Sequence, residues 1–116
     1  MNKEDRMKHI IAAVALVALP IAAQAQQPPR YDVENHCEQV AGFGGEFSNT
    51  MYNSCIDMEQ SAYNNVKRQW GTLPGSIQNH CHEVASFGSP GSYNMLESCI
   101  KMEMSAADNR SEFSFD

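Results

Sequence analysis

Residues 36–62 and 80–106 of this chain carry one pattern twice. His36-Cys37 matches His80-Cys81, and Cys55-Ile56-x-Met58-Glu59-x-Ser61-Ala62 matches Cys99-Ile100-x-Met102-Glu103-x-Ser105-Ala106, at a constant offset of 44 residues. Each copy is bounded by two cysteines 18 positions apart, so the duplication uses all four cysteines. A chain built this way is two copies of one supersecondary unit, each with its own pair of thiols.

The N-terminus places those thiols in an oxidising compartment. Lys3, Arg6 and Lys8 precede an apolar run from Ile10 to Leu19; Pro20 ends the run, and Ala23-Gln24-Ala25 has the small-x-small form of a signal-peptidase site. This is the pattern of a secretory signal peptide. The run is shorter than the ~20 residues of a membrane span, so no membrane span is expected after cleavage. The expected division is a signal peptide at 1–25 and a single mature domain at 26–116. Repeat one occupies 31–70, repeat two 76–112, and a frayed tail 113–116. The expected location is the periplasm or the exterior, where an even cysteine count in a short chain reads as a disulfide framework.

Removing 1–25 leaves five basic and twelve acidic side chains, a net charge of −7. Nucleic acid, which is bound by clustered Lys and Arg, is therefore not an expected partner. A cationic protein of the envelope, a polyamine or a cation suits the charge; solubility alone also accounts for it. The sequence does not specify an oligomeric state.

The apolar spacing is helical throughout. Val33, Cys37, Val40 and Ala41 share a face of a helix over 31–43, and Gly44-Gly45 breaks it. Ser48 is the expected N-cap of the next helix, on which Met51, Cys55, Met58, Ala62 and Val66 form a stripe. Residues 70–75 form the linker. Ser76 is the expected N-cap of a helix carrying Ile77, Cys81, Val84 and Ala85. Gly88-Ser89-Pro90-Gly91 is the next turn, and Met95, Cys99, Met102 and Ala106 stripe a last helix that fades over 109–112. The fold class is all-α: two disulfide-stapled helical hairpins in tandem, packed as a small four-helix domain after a signal-peptide helix. A pseudo-two-fold axis between the hairpins would give one shared core, with the four striped methionines inside it.

Helical rise selects the pairing of the cysteines. Cys37 lies ~9 Å of helix before the first glycine turn and Cys55 ~10.5 Å after Ser48, at 1.5 Å per residue. The two sulfurs of an antiparallel hairpin are then level, and the same holds for Cys81 and Cys99. The expected bonds are Cys37–Cys55 and Cys81–Cys99, against the alternative Cys37–Cys81 with Cys55–Cys99. There is no Cys-x-x-Cys of a reactive pair. Adjacent residues in His36-Cys37 and His80-Cys81-His82 point ~100° apart on a helix, which does not suit one zinc ion. No metal, cofactor or catalytic residue is assigned, and the chain reads as a non-enzyme.

The recurring polar residues are His36, Glu59, His80 and Glu103. Glu59 lies one turn beyond Cys55, level with the start of its hairpin's first helix, and Glu103 is placed likewise. A carboxylate there suits the unpaired N–H groups of a first turn, or pairs with the histidine one turn on. Each Glu is thus expected to close the open end of its own hairpin. The competing reading is a Glu–His acid/base pair.

The His-Cys-x-x-Val-Ala…Cys-Ile-x-Met-Glu-x-Ser-Ala unit resembles small exported proteobacterial proteins built from one or more such Cys-x17-Cys units. That resemblance implies the stapled helical architecture. A second likeness is to LprI-type lysozyme-inhibitor domains, whose Cys-x-x-x-Glu-x-x-x-Ala-Asp segment matches Cys99, Glu103, Ala107 and Asp108; in the first copy Tyr63-Asn64 stand in place of Ala-Asp. It implies an acidic envelope protein able to bind a cationic lysozyme. Three readings follow: a binding or protective envelope module, a lysozyme inhibitor, and a metal-binding or redox protein.

Overall fold

A computed structural model describes residues 26–116; the signal-peptide assignment at 1–25 lies outside the described residues. Four α-helices follow in order: α1 Val33–Gly42, α2 Asn49–Gln69, α3 Gly75–Ser86 and α4 Tyr93–Asp108, with a 3-10 turn, Trp70–Thr72, between α2 and α3. Each start has a chemical cause except that of α3. The Asp32, Ser48 and Ser92 side chains accept the N–H groups of Asn35, Met51 and Met95, so three helices begin on side-chain caps. Ser76 is not a cap: α3 begins at Gly75 behind Pro74, and Ser76 lies within it. The last helix ends at Asp108, with Asn109 as its C-cap, so the expected gradual end over 109–112 is not seen.

The duplication is visible in three dimensions. Both disulfides form within their own copies, Cys37–Cys55 and Cys81–Cys99, each with a Cα–Cα distance of 5.5 Å. The hairpin turns close with matching backbone bonds, Ser48 N–H to Ala41 C=O and Ser92 N–H to Ala85 C=O. Gly45 (φ 98°) and Gly91 (φ 103°) supply left-handed backbone in those turns. At Gly91 space is a second constraint: a Cβ there would collide with the ring of Tyr31.

The principal packings are α1 on α2, α3 on α4, and α2 on α4. The core lies on the second copy's side. Ala62, Val66 and Trp70 from α2 and its extension meet Leu73, Cys81, Ala85, Tyr93, Leu96, Cys99 and Ile100. Trp70, expected in a linker, is 2 % exposed. Gln78 fixes this corner by donating from Nε2 to the Trp70 carbonyl at 2.7 Å. The α1 helix reaches that core through its lead-in. Pro28 is buried, the Pro29 carbonyl accepts from the Tyr93 hydroxyl, and the Tyr31 N–H donates to the same hydroxyl. The methionines expected inside are outside: Met51, Met58, Met95 and Met102 are 47, 56, 51 and 71 % exposed. The α1 helix covers the line through Cys55, and the methionine side of the first stripe opens on a groove it shares with Val40 and Met95.

Each disulfide spans 18 residues, worth about 3 kcal/mol in the chain-entropy account. Their consequences differ, because Cys81 and Cys99 belong to the main core and Cys37 and Cys55 do not. We expect Cys37→Ser/Cys55→Ser to lose amide protection chiefly in α1, and Cys81→Ser/Cys99→Ser to lower protection across α2, α3 and α4. Hydrogen exchange read by mass spectrometry distinguishes these outcomes.

Candidate functional site

Glu59 sits where the two copies meet. It lies on the buried face of α2, 3 % exposed, and its carboxylate faces the start of α4 rather than the start of α1. Oε2 accepts the Tyr93 N–H at 2.5 Å, and Oε1 accepts the Ser92 hydroxyl at 2.6 Å and the Asn94 N–H at 3.4 Å. Ser92 Oγ in turn accepts from Met95 N at 3.2 Å. The first three N–H groups of α4 are thereby all satisfied, two of them by a carboxylate at the positive end of the helix. His36 Nε2 stands 3.7 Å from Glu59 Oε1. The expected pairing of Glu59 with the histidine of its own hairpin is therefore seen, while the alternative that it bonds the first-turn N–H groups of α1 is corrected. The carboxylate bridges to the other copy because the unpaired N–H groups at the α4 start converge on it, and only His36 represents its own hairpin.

In the second copy the expected Glu–His pair also forms, but at the surface. His80 Nε2 is 3.4 Å from Glu103 Oε1, and the side chains are 54 and 42 % exposed. Glu103 does not cap Ser48, whose hydroxyl caps α2 alone. The two copies are thus not related by a two-fold axis. Such an axis would return the Glu59–Ser92 contact as Glu103–Ser48.

A groove of about 480 Å³ opens above Glu59 between the first hairpin and the start of α4. Val40, Met51, Met58 and Met95 line it, with His36 at one side. Met58 also lines a neighbouring cavity that bears the exposed Asp57 and Glu97, whose side chain is 13 % exposed and stands 3.5 Å from Lys101 Nζ. On the other side of Glu59 a second cavity holds Tyr31, Tyr63, Tyr93, Arg30 and Glu34. There the Tyr31 ring lies parallel to His82, its hydroxyl 3.0 Å from Nδ1, and Tyr93 packs against both Tyr31 and Tyr63. His82 is held by Tyr31, and His80 pairs with Glu103. Burial pushes the Tyr31 phenol well above its ordinary value, and Tyr93 adds to the shift; burial likewise raises Tyr93.

Among the described residues no group of three or more His, Cys, Asp or Glu side chains could hold a metal ion, and all four cysteines are paired. Ser92 and Tyr93, which complete the Glu59 site, were not singled out from the sequence. Ser92 was accessible through the offset, since it corresponds to the N-cap Ser48; Tyr93 replaces Asn49 and carried no such signal. No family model, curated protein or solved structure matches the chain.

Glu59→Gln removes the charge from a buried site with several donors and should cost about 1–3 kcal/mol, whereas Glu103→Gln should stay within ~0.5 kcal/mol. Urea unfolding of the two variants checks this contrast. Because the folded phenols hold their protons more tightly than unfolded ones, stability is intact below the ordinary phenol pKa of about 10 and falls above it. Tyr31→Phe should flatten that alkaline decline, as followed by unfolding curves on either side of pH ~10.

Proposed function

We propose that this protein is a small non-enzymatic binding module of an extracytoplasmic compartment, periplasmic or secreted, whose ligand is a basic protein. The observation that carries the reading is the methionine groove. Three half-exposed thioether side chains from two helices line one apolar groove, and the exposed Asp57 lines the neighbouring cavity that shares Met58. Methionine is flexible and polarizable and re-packs against varied apolar groups. The Asp57 carboxylate beside the groove favours a ligand with positive charge next to its apolar side chains. The net charge of −7 after residue 25 acts in the same direction at longer range. Two disulfides suit an oxidising, extracytoplasmic setting. Acid/base catalysis by Glu59 is less well supported, because both oxygens are engaged by helix donors.

A cationic lysozyme is the first partner to test. Calorimetric titration should give salt-sensitive binding, and the protein in excess should slow lysis of a bacterial suspension; undiminished lysis rejects the inhibitor reading. For the wider reading, Met58→Glu should weaken binding to a basic envelope partner at least tenfold, about 1.4 kcal/mol. Equal capture of the same basic proteins by this variant and the unaltered protein would overturn it. A soft-metal reading rests on the same side chains, since thioethers favour Cu(I) and His36 shares the groove. Met58→Leu separates the two readings: it keeps the groove apolar and removes the sulfur.

A further inference from the structure

Methionine is among the residue types most often found fully buried, yet among the described residues none is. There are five, Met51, Met58, Met95, Met102 and Met104, and each is at least 38 % exposed. The main core is built from Val66, Leu73, Leu96 and Ile100, with Trp70 and the Cys81–Cys99 bond. Sulfur in the interior is disulfide sulfur; thioether sulfur is at the surface.

Thiols and thioethers are the side chains that two-electron oxidants convert to sulfur oxides. Here every cysteine is already in a disulfide. The single tryptophan, Trp70, is almost wholly buried. A peroxide reaching this surface therefore meets thioethers first, and Met51, Met58 and Met95 share one groove.

We propose that Met51, Met58 and Met95 form a reversible oxidation site, whose conversion to sulfoxides turns the groove from apolar to polar while the fold stays intact. A sulfur lone pair attacks one oxygen of hydrogen peroxide and the O–O bond breaks. That oxygen remains on sulfur, and its proton passes to the departing hydroxide, which leaves as water. Sulfur loses the two electrons that the peroxide gains. Methionine sulfoxide reductases return them: two thiols become a disulfide, and the oxygen leaves as water.

The placement of the three side chains explains why the fold is spared. Met51 and Met58 flank the buried line Cys55–Glu59–Ala62–Val66 of α2 and are not part of it. Met95 serves the start of α4 through its backbone N–H, which donates to Ser92 Oγ. The Glu59 carboxylate is held by Ser92, Tyr93 and Asn94, so no bond across the junction involves a thioether. A sulfoxide is polar where the thioether is apolar, so each conversion removes apolar area from the groove. Loss of a bound partner on oxidation would follow, and that consequence rests on the binding reading above; the oxidation site does not.

Graded peroxide treatment of the purified protein, followed by peptide mapping, tests the site without any ligand. Met102, the most exposed of the five, is the internal reference. The three groove methionines should each take up one oxygen at rates within several-fold of Met102, with both disulfides intact. The midpoint of urea unfolding should stay unchanged, and retention on a hydrophobic-interaction column should fall. Reductases specific for the two sulfoxide epimers should together restore retention. Met51→Leu/Met58→Leu/Met95→Leu keeps the groove apolar and should hold its retention through the same treatment, although Met102 and Met104 are still oxidised. Groove methionines that stay unoxidised while Met102 is converted overturn the proposal. So does an unfolding midpoint that drops as the groove is oxidised, or a triple variant that loses as much retention as the unaltered protein. None of these readouts uses a basic partner, so the oxidation site and the binding reading fail separately.

Discussion

The bond between the Glu59 carboxylate and the first turn of α4 holds the two halves of this protein in one arrangement. Burying a carboxylate costs several kcal/mol unless its lone pairs are taken up by donors, and here the Ser92 hydroxyl and the Tyr93 and Asn94 N–H groups take them up. The same groups would otherwise be unpaired at a buried helix end. Each side thus removes the other's penalty, and only one relative placement of the hairpins allows it. The apolar packing of Ala62, Val66 and Trp70 supplies the area, but apolar contact is non-directional and would tolerate sliding. The carboxylate sets the register, and the groove above it exists because the α4 start is held beside the first hairpin.

The duplicated sequence produces an unequal structure because the two copies have different neighbours. Within the described residues, repeat one is followed by a copy and repeat two is preceded by one. A glutamate that is a buried bridge in the first is a surface ion pair in the second, although both sit at the same distance from their cysteines. The core is correspondingly lopsided. Ala41, Cys37 and Cys55 are buried within the first hairpin yet stand apart from the main cluster. For α1 the disulfide and the Pro28–Tyr31 lead-in do what the core does for α3. The lead-in crosses to repeat two and rests on Gly91, where any side chain would push Tyr31 away.

The parts of this fold legible in the sequence are those governed by local geometry. Helical rise determined that Cys37 and Cys55 would be level, and that requires no knowledge of what packs on the hairpin. Ser48 could be recognised as a cap from its own chemistry. The methionines could not be placed by the same means. Periodicity identifies a stripe but not its width, and α2 buries the line Cys55–Glu59–Ala62–Val66 while Met51 and Met58 flank it. A charged residue within that line goes against hydrophobic patterning, and it is buried because donors from a distant segment await it. The partner of Glu59 likewise lay 33 residues away, beyond the reach of any intrahairpin argument, although the Ser48–Ser92 correspondence pointed to a helix start at the right place. Trp70 departs from its expected linker role for a related reason: the glycines and proline beside it signal a turn, and a turn at the junction of two units is also where a large side chain can fill their interface.

What remains to be explained is why the methionine face is left uncovered. A monomer that gained only stability from its apolar residues would place them under a helix, since each half-exposed methionine leaves a large part of its transfer free energy unrealised. Here Met51 and Met95 occupy matched positions, as do Met58 and Met102, and all four are at least 47 % exposed. Three of the four, Met51, Met58 and Met95, line one groove, on a chain that also exposes Phe43, Phe87, Phe113 and Phe115 elsewhere. The Glu59 bridge brings Met95 of the second copy against Met51 and Met58 of the first, joining two short stripes into one groove. The bond that sets the register of the fold thereby also assembles the surface best suited to a ligand, and a change that loosened the first would disperse the second.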